Sequence, residues 1–202
     1  MKKRKTLFLI LIIIILIILS IIIYKNMTKK TKNGNNMNSQ EIVDYILNIN
    51  SYKAQITVEV KSNKNTNKYV IKQEYKKAEK DEQEVVEPIN IKGVKIKKEG
   101  NKLTVENTNL SLSTIFEEYK GLGENALDLH QFIDDYKSSE NSKYEEKDGQ
   151  IIMYATSNNE NKYTKNKALY INKENFIPTK LVVKDNNQNM TINIQYNEVE
   201  LN

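Results

Sequence analysis

One histidine, no cysteine and a scatter of carboxylates are what this 202-residue chain offers for chemistry. His130 lies in the stretch Leu127-Asp128-Leu129-His130-Gln131-Phe132-Ile133. Without cysteine, a zinc site there would need carboxylates for nearly all its other ligands, and no H-E-x-x-H spacing supplies them. His130 is therefore read as a packed or surface residue of a helix, and neither a metal nor another cofactor is expected. Asp134 and Asp135 follow on the same segment, and Glu117 and Glu118 precede it. Two carboxylates do acid–base work when both face one substrate, whereas neighbours on a helix point about 100° apart. Solvated faces are the expected place for all four. Ser111 and Ser113 lack the G-x-S-x-G elbow, and Gly121-Leu122-Gly123 is a hinge rather than a phosphate loop. The reading is of a protein that is not an enzyme.

The absence of cysteine also removes disulfides and any lipidated cysteine, so a hold on a membrane must come from peptide. Residues Leu7 to Ile23 are apolar apart from Ser20. As a helix this run spans about 26 Å, close to the hydrocarbon thickness of a bilayer, and it lacks a small-residue cleavage site. The expected organisation is a basic tail (1–6), a transmembrane signal anchor (7–24), a flexible tether (25–38) and one domain (39–202). Basic residues flank the run equally on both sides; the contiguous Lys2, Lys3, Arg4 and Lys5 favour a cytoplasmic N-terminus and an extracytoplasmic domain. The formal charge of +5 belongs to this N-terminal part. Eight of the 31 basic residues and none of the 26 acidic ones lie in residues 1–32, and the remainder contains no Arg. Such a body lacks the clustered cations that displace phosphate counterions, so nucleic acid is not an expected partner.

The elements that must position any site read as follows. Ile42, Val43, Ile46, Leu47 and Ile49 recur with helical spacing after Ser39, a candidate N-cap. The period then changes to two: Tyr52, Ala54, Ile56, Val58 and Val60 alternate with polar residues, and Tyr69, Ile71, Gln73 and Tyr75 continue the pattern in a paired strand. Further strands are expected at 84–87, 91–98, 102–107, 143–147, 150–156, 165–172, 179–184 and 190–200, with Asp148-Gly149 as a hairpin turn. Between 110 and 139 two helices are expected, 113–119 and 127–136. The fold class is α+β and mainly β: a strongly curved antiparallel half-barrel covered by helices.

What stands out is apolar and aromatic. Twelve Tyr accompany no Trp, many of them at alternate strand positions. Ile56, Val58, Val60, Ile71 and Tyr75 form a face that either packs as core or lines an acyl-chain cavity. The irregular insertion over the sheet, with Leu110, Leu112, Phe116, Tyr119, Gly121 and Gly123, is the candidate binding lid and hinge. The long first hairpin could also exchange between two copies, which keeps a homodimer among the options.

Near the C-terminus, Ala168-Leu169-Tyr170-Ile171-Asn172-Lys173, then Ile177-Pro178-Thr179-Lys180-Leu181 and Tyr196-Asn197-Glu198-Val199 resemble the closing strands of the LolA/LolB-like lipoprotein-carrier superfamily. Within it, Val86-Glu87-Pro88-Ile89-Asn90-Ile91-Lys92-Gly93 and Leu110-Ser111-Leu112-Ser113 are similar to the GerS-like germination proteins of spore formers. That resemblance implies a non-catalytic partner and activator of a spore-cortex amidase of the CwlD type, held at the forespore or spore envelope. The superfamily implies an alternative role, a lipid or lipoprotein acyl-chain carrier. The missing lipobox Cys departs from GerS itself.

Overall fold

The computed structural model describes residues 37–62, 64–100, 102–107, 109–117, 127–157 and 162–202. From Ser39 to Asn202 the chain forms one compact unit. Its elements are α1 (Ser39–Leu47), β1 (Ser51–Lys61), β2 (Thr66–Lys76), β3 (Lys80–Glu87), β4 (Val94–Glu99), β5 (Lys102–Asn107), β6 (Leu112–Phe116), α2 (Leu129–Ser138), β7 (Lys143–Lys147), β8 (Gln150–Thr156), β9 (Asn166–Asn172), β10 (Pro178–Lys184) and β11 (Met190–Leu201), with a 3₁₀ turn at Ile89–Ile91.

The eleven strands form one antiparallel sheet in the order β6-β5-β4-β3-β2-β1-β11-β10-β9-β8-β7. The chain starts in the middle with β1 and lays strands outward to β6. It reappears in α2, restarts at the far edge with β7, and works back until β11 lies beside β1. Pairing of Ile56 with Tyr196 and of Val58 with Ile194 joins the two halves. Among the described residues the sheet stays open: β6 and β7 are its edges and do not meet. Asp148 (φ 51°) and Gly149 (φ 72°) make the tight β7–β8 turn, where two successive left-handed residues match the twist of the strands.

Side-chain alternation separates two faces. Tyr52, Ala54, Ile56 and Val58 of β1 point inward with Ile71 of β2, Ile194 of β11, Leu181 and Val183 of β10, Leu169 and Ile171 of β9, and Ile151 and Met153 of β8; all are buried. Ile42, Val43 and Ile46 of α1, and Leu129, Phe132 and Ile133 of α2, close over them. Both helices lie against β8 and touch each other. The core therefore sits over the β8–β11 and β1–β2 side of the sheet, and the β3–β6 wing carries less cover.

The alternating segments and the opening helix stand where the sequence pattern puts them, within a few residues. Three expectations are corrected. Residues 113–116, expected at the start of the helix 113–119, instead lie in strand β6, paired with β5 through Leu103–Phe116, Val105–Thr114 and Asn107–Leu112. Segment 91–98 begins with the 3₁₀ turn, and the strand starts only at Val94. Ser39 lies inside α1, and its hydroxyl donates to Glu146 Oε2. Among the described residues no helix is long and apolar enough to cross a membrane, and the apolar run 7–23 lies outside them.

Candidate functional site

An inward-facing row of side chains runs from the middle of the sheet to its β6 edge. Tyr52 pairs with Tyr75 and Tyr75 with Asp81. Lys98 Nζ reaches Asp81 Oδ2 at 3.6 Å, Lys98 pairs with Leu103, and Leu103 pairs with Phe116. The row is polar in its middle and apolar at its outer end, and these two parts do different work.

Helix α2 begins above the polar part. Asp128 holds the N-cap position in extended conformation, yet its carboxylate makes no capping hydrogen bond. It points into the sheet, where Oδ1 accepts from Gln73 Nε2 at 3.2 Å and from Gln83 Nε2, and Oδ2 accepts from Lys98 Nζ at 2.9 Å. Asp128 is only 1% exposed. Two residues further, His130 stacks face to face on Tyr75 with centroids 4.1 Å apart; its Nδ1 lies 3.4 Å from the Tyr52 hydroxyl and its Nε2 3.5 Å from Asp81 Oδ2.

Burial dominates the electrostatics. It raises the Asp128 pKa above the ordinary carboxylate value, and the nearby Lys98 and His130 offset part of that rise. Burial likewise pushes the Tyr52 and Tyr196 hydroxyls well up, with the Asp128 charge adding to both. Both hydroxyls stay neutral. Gln73 Oε1 and the Tyr196 hydroxyl are buried with no hydrogen-bond partner among the described residues.

Asp81, Asp128 and His130 bring three ligand atoms within 4.8 Å of one another, a spacing that suits a cation. The Lys98 ammonium already bridges both carboxylates. The cluster is thus an internally ion-paired and hydrogen-bonded network that ties the start of α2 to β2, β3 and β4. His130 is packed within it, its ring stacked on Tyr75. Asp135 corrects its expected solvated position: it is buried and pairs with the equally buried Lys167 of β9 at 2.5 Å. Asp134 and Glu117 are exposed, and Glu118 lies outside the described residues.

The apolar part of the row ends at β6. Every residue of this strand is exposed, and Leu112 (62%) and Phe116 (47%) stand on the inner face beside half-buried Val105 and Ile96. Ile115 projects from the opposite face of the strand, and Leu110 from the preceding turn. That turn is held near the 3₁₀ segment by the Asn109 amide, which donates to the Lys92 carbonyl at 2.7 Å. Ile89, also exposed, belongs to the same end of the wing. Five of the eight large apolar side chains exposed among the described residues therefore lie on β3–β6 or its turns.

Of the candidate lid residues, Leu110, Leu112 and Phe116 are thus brought to one sheet edge, while Tyr119, Gly121 and Gly123 lie outside the described residues. Of the candidate cavity face, Ile56, Val58 and Ile71 are buried in the core and Val60 and Tyr75 are half-buried. The Asp128 network escaped sequence reasoning. Its one trace there is polar Gln73 at an inward position of an otherwise apolar or aromatic row, Tyr69, Ile71 and Tyr75.

The domain is similar to solved structures. One is the complex of the CwlD amidase from Clostridioides difficile with the GerS lipoprotein: the match has 27% identity and a TM-score of 0.51, covering 82% of this chain and 97% of that one. An uncharacterized conserved protein from Thermus thermophilus matches in fold, with 12% identity, a TM-score of 0.52, and 82% and 88% of the two chains covered. A LolA superfamily protein from Nitrosomonas europaea is matched at 13% identity and a TM-score of 0.42, over 83% and 94% of the chains. No curated protein matches this sequence. The model of the YdcC-like sporulation proteins matches residues 3–202, nearly the whole chain, and the protein belongs to that family.

Proposed function

We propose that this protein is a non-catalytic binding protein of sporulation that partners and activates a cell-wall amidase of the CwlD type, held near the membrane by the apolar run 7–23. The observation that carries the reading is the likeness to the GerS–CwlD complex, with 97% of the matched chain covered at 27% identity, alongside membership of a sporulation family. The internal chemistry agrees. The carboxylates, lysine and histidine that stand closest together are committed to one another under α2, and the uncommitted surface is apolar, at the β6 edge. A spanning helix would tether such a domain at least as firmly as a lipid.

Native mass spectrometry of the full-length chain from detergent, with and without the CwlD-type amidase of the same genome, tests this directly. The expected result is a stoichiometric complex, with amidase turnover on peptidoglycan that rises on addition of this protein and no hydrolysis by the protein alone. Failure of the two proteins to associate would overturn the reading. A bound lipid without amidase binding would replace it by an acyl-chain carrier.

A further inference from the structure

We infer that the β6 edge is the docking site for the partner protein, which adds a strand antiparallel to Leu112–Phe116 and covers both flanks of that strand. The inference rests on the amidase-partner reading above and names the surface that carries it.

An edge strand presents a row of unpaired amides and carbonyls, and proteins commonly guard such rows with charge. This sheet has two edges, and only one is guarded. Strand β7 reads Lys-Tyr-Glu-Glu-Lys, and its Glu146 is engaged by Lys173 at 2.5 Å and by Ser39. Strand β6 reads Leu-Ser-Thr-Ile-Phe, has no charge, and is exposed along its whole length. A strand laid beside Leu112–Phe116 meets no charge within those five residues, exposed Glu117 lying just past their end, and it finds Leu112 and Phe116 on one side and Ile115 on the other. That arrangement gives main-chain pairing for affinity and alternate apolar contacts for specificity.

Area separates the occupants. Two copies of β6 could pair about a two-fold axis at Thr114, placing Leu112 opposite Phe116, with no like charges facing each other. Standard interfaces bury about 800 Å² per partner with about 20–30 residues a side, so five residues a side yield roughly 150–200 Å² each. That is far below what a stable dimer needs. The apolar surface also extends past the strand, to Leu110 and Ile89 at one end and to Ile96 and Val105 on the inner face. A folded partner with flanking surface covers all of it, whereas a second β6 covers only its middle.

The test uses the full-length protein and the CwlD-type amidase of the same genome, with affinity measured for wild type, Leu112→Lys/Phe116→Lys, and Tyr144→Lys on the guarded edge. All three altered residues are exposed. The expected result is binding weakened by at least about 100-fold in the double variant and unchanged in Tyr144→Lys, because buried apolar anchors dominate such interfaces. Hydrogen exchange should show the β6 amides that face away from β5 becoming protected on binding. Should the double variant unfold, Thr114→Lys, in the middle of the exposed edge, carries the same comparison. Wild type that binds while the double variant binds equally well, or while β6 amides stay unprotected, overturns the docking site and leaves the amidase reading standing. Wild type that does not bind overturns the amidase reading itself.

Discussion

The two wings of this sheet share one alternation of side chains and end in opposite conditions. On β8–β11 the inward positions Ile151, Met153, Leu169, Ile171, Leu181 and Ile194 are fully buried, because α1 and α2 lie over that side. On β3–β6 the inward positions pass from half-buried Ile96 and Val105 to exposed Leu112 and Phe116. The β3–β6 wing carries Asp81, Gln83 and Lys98 among its inner positions, yet Leu112 and Phe116 at its end are as apolar as their counterparts on the covered wing. Where the helices land makes the difference there. One wing holds the fold together, and the other has apolar surface left over.

The widest gap between the wings should appear on truncating an aromatic side chain in each. Phe132 of α2 is fully buried, so Phe132→Ala should cost about 3–5 kcal/mol through lost transfer energy and a cavity. Phe116→Ala on β6 should cost less than about 1 kcal/mol, since much of the ring is already in water. Urea unfolding followed by circular dichroism measures both. Equal losses would mean that the β6 wing is core after all.

A second effect of similar size tests how α2 is fixed to the covered wing. Lys167 and Asp135 are an ion pair inside the core. Breaking it with Lys167→Met leaves an uncompensated buried carboxylate and should destabilise by about 3–5 kcal/mol, whereas Lys167→Met combined with Asp135→Leu should recover most of the loss. A double variant as unstable as the single one would show that the pair is needed for its geometry and not merely for mutual neutralisation.

Legibility in the sequence followed the same division. Strands β1 and β2 could be read from alternation because one face is buried more than the other, whereas β8 to β10 each bury three consecutive residues and read as short apolar runs between polar turns. The β7–β8 turn was visible in Asp148-Gly149. Strand β6 was not, because Leu112 and Phe116 also fit the i, i+4 spacing of a helix, and five exposed residues carry no burial signal to arbitrate. Pairing with β5 decides its conformation, and pairing is a long-range fact. The candidate surface was correspondingly half legible: Leu110, Leu112 and Phe116 could be singled out as uncommitted apolar residues, but not their place on a sheet edge. The Asp128 network was hidden for the same reason. Gln73, Asp81, Gln83, Lys98 and Asp128 come from separate elements, and only the folded register brings them together.

That network makes a smaller, signed prediction at the boundary between the wings. Burial raises the Asp128 pKa in the folded state. The folded protein therefore holds this proton more tightly than the unfolded chain, and the contribution of Asp128 to stability is greatest below the unfolded carboxylate value and declines as pH rises through the folded one. Half-buried Glu74 and Asp185 and exposed Glu146 are shifted the other way by their hydrogen-bonding partners, so they oppose this trend in the raw stability curve. The difference between wild type and Asp128→Asn isolates it. That difference should move against wild type as pH is raised from about 4 toward neutrality. A flat difference would show that Lys98 fully compensates the buried charge.

The smallest expected effect concerns the edges alone. Leu112→Lys on β6 and Tyr144→Lys on β7 each replace an exposed side chain at the rim of the sheet, and each should change unfolding free energy by less than about 0.5 kcal/mol. Their effects on association should nevertheless differ. A charge placed on β6 removes the apolar row from an unguarded edge and should lower the weak self-association that a five-residue edge allows only at high concentration, as read by light scattering. A further charge on β7, already bordered by Lys143 and Glu145, should leave it unchanged. If Leu112→Lys proved strongly destabilising, the apolar edge would be part of what folds the domain. If it altered association alone, that surface would be available for contact with another protein.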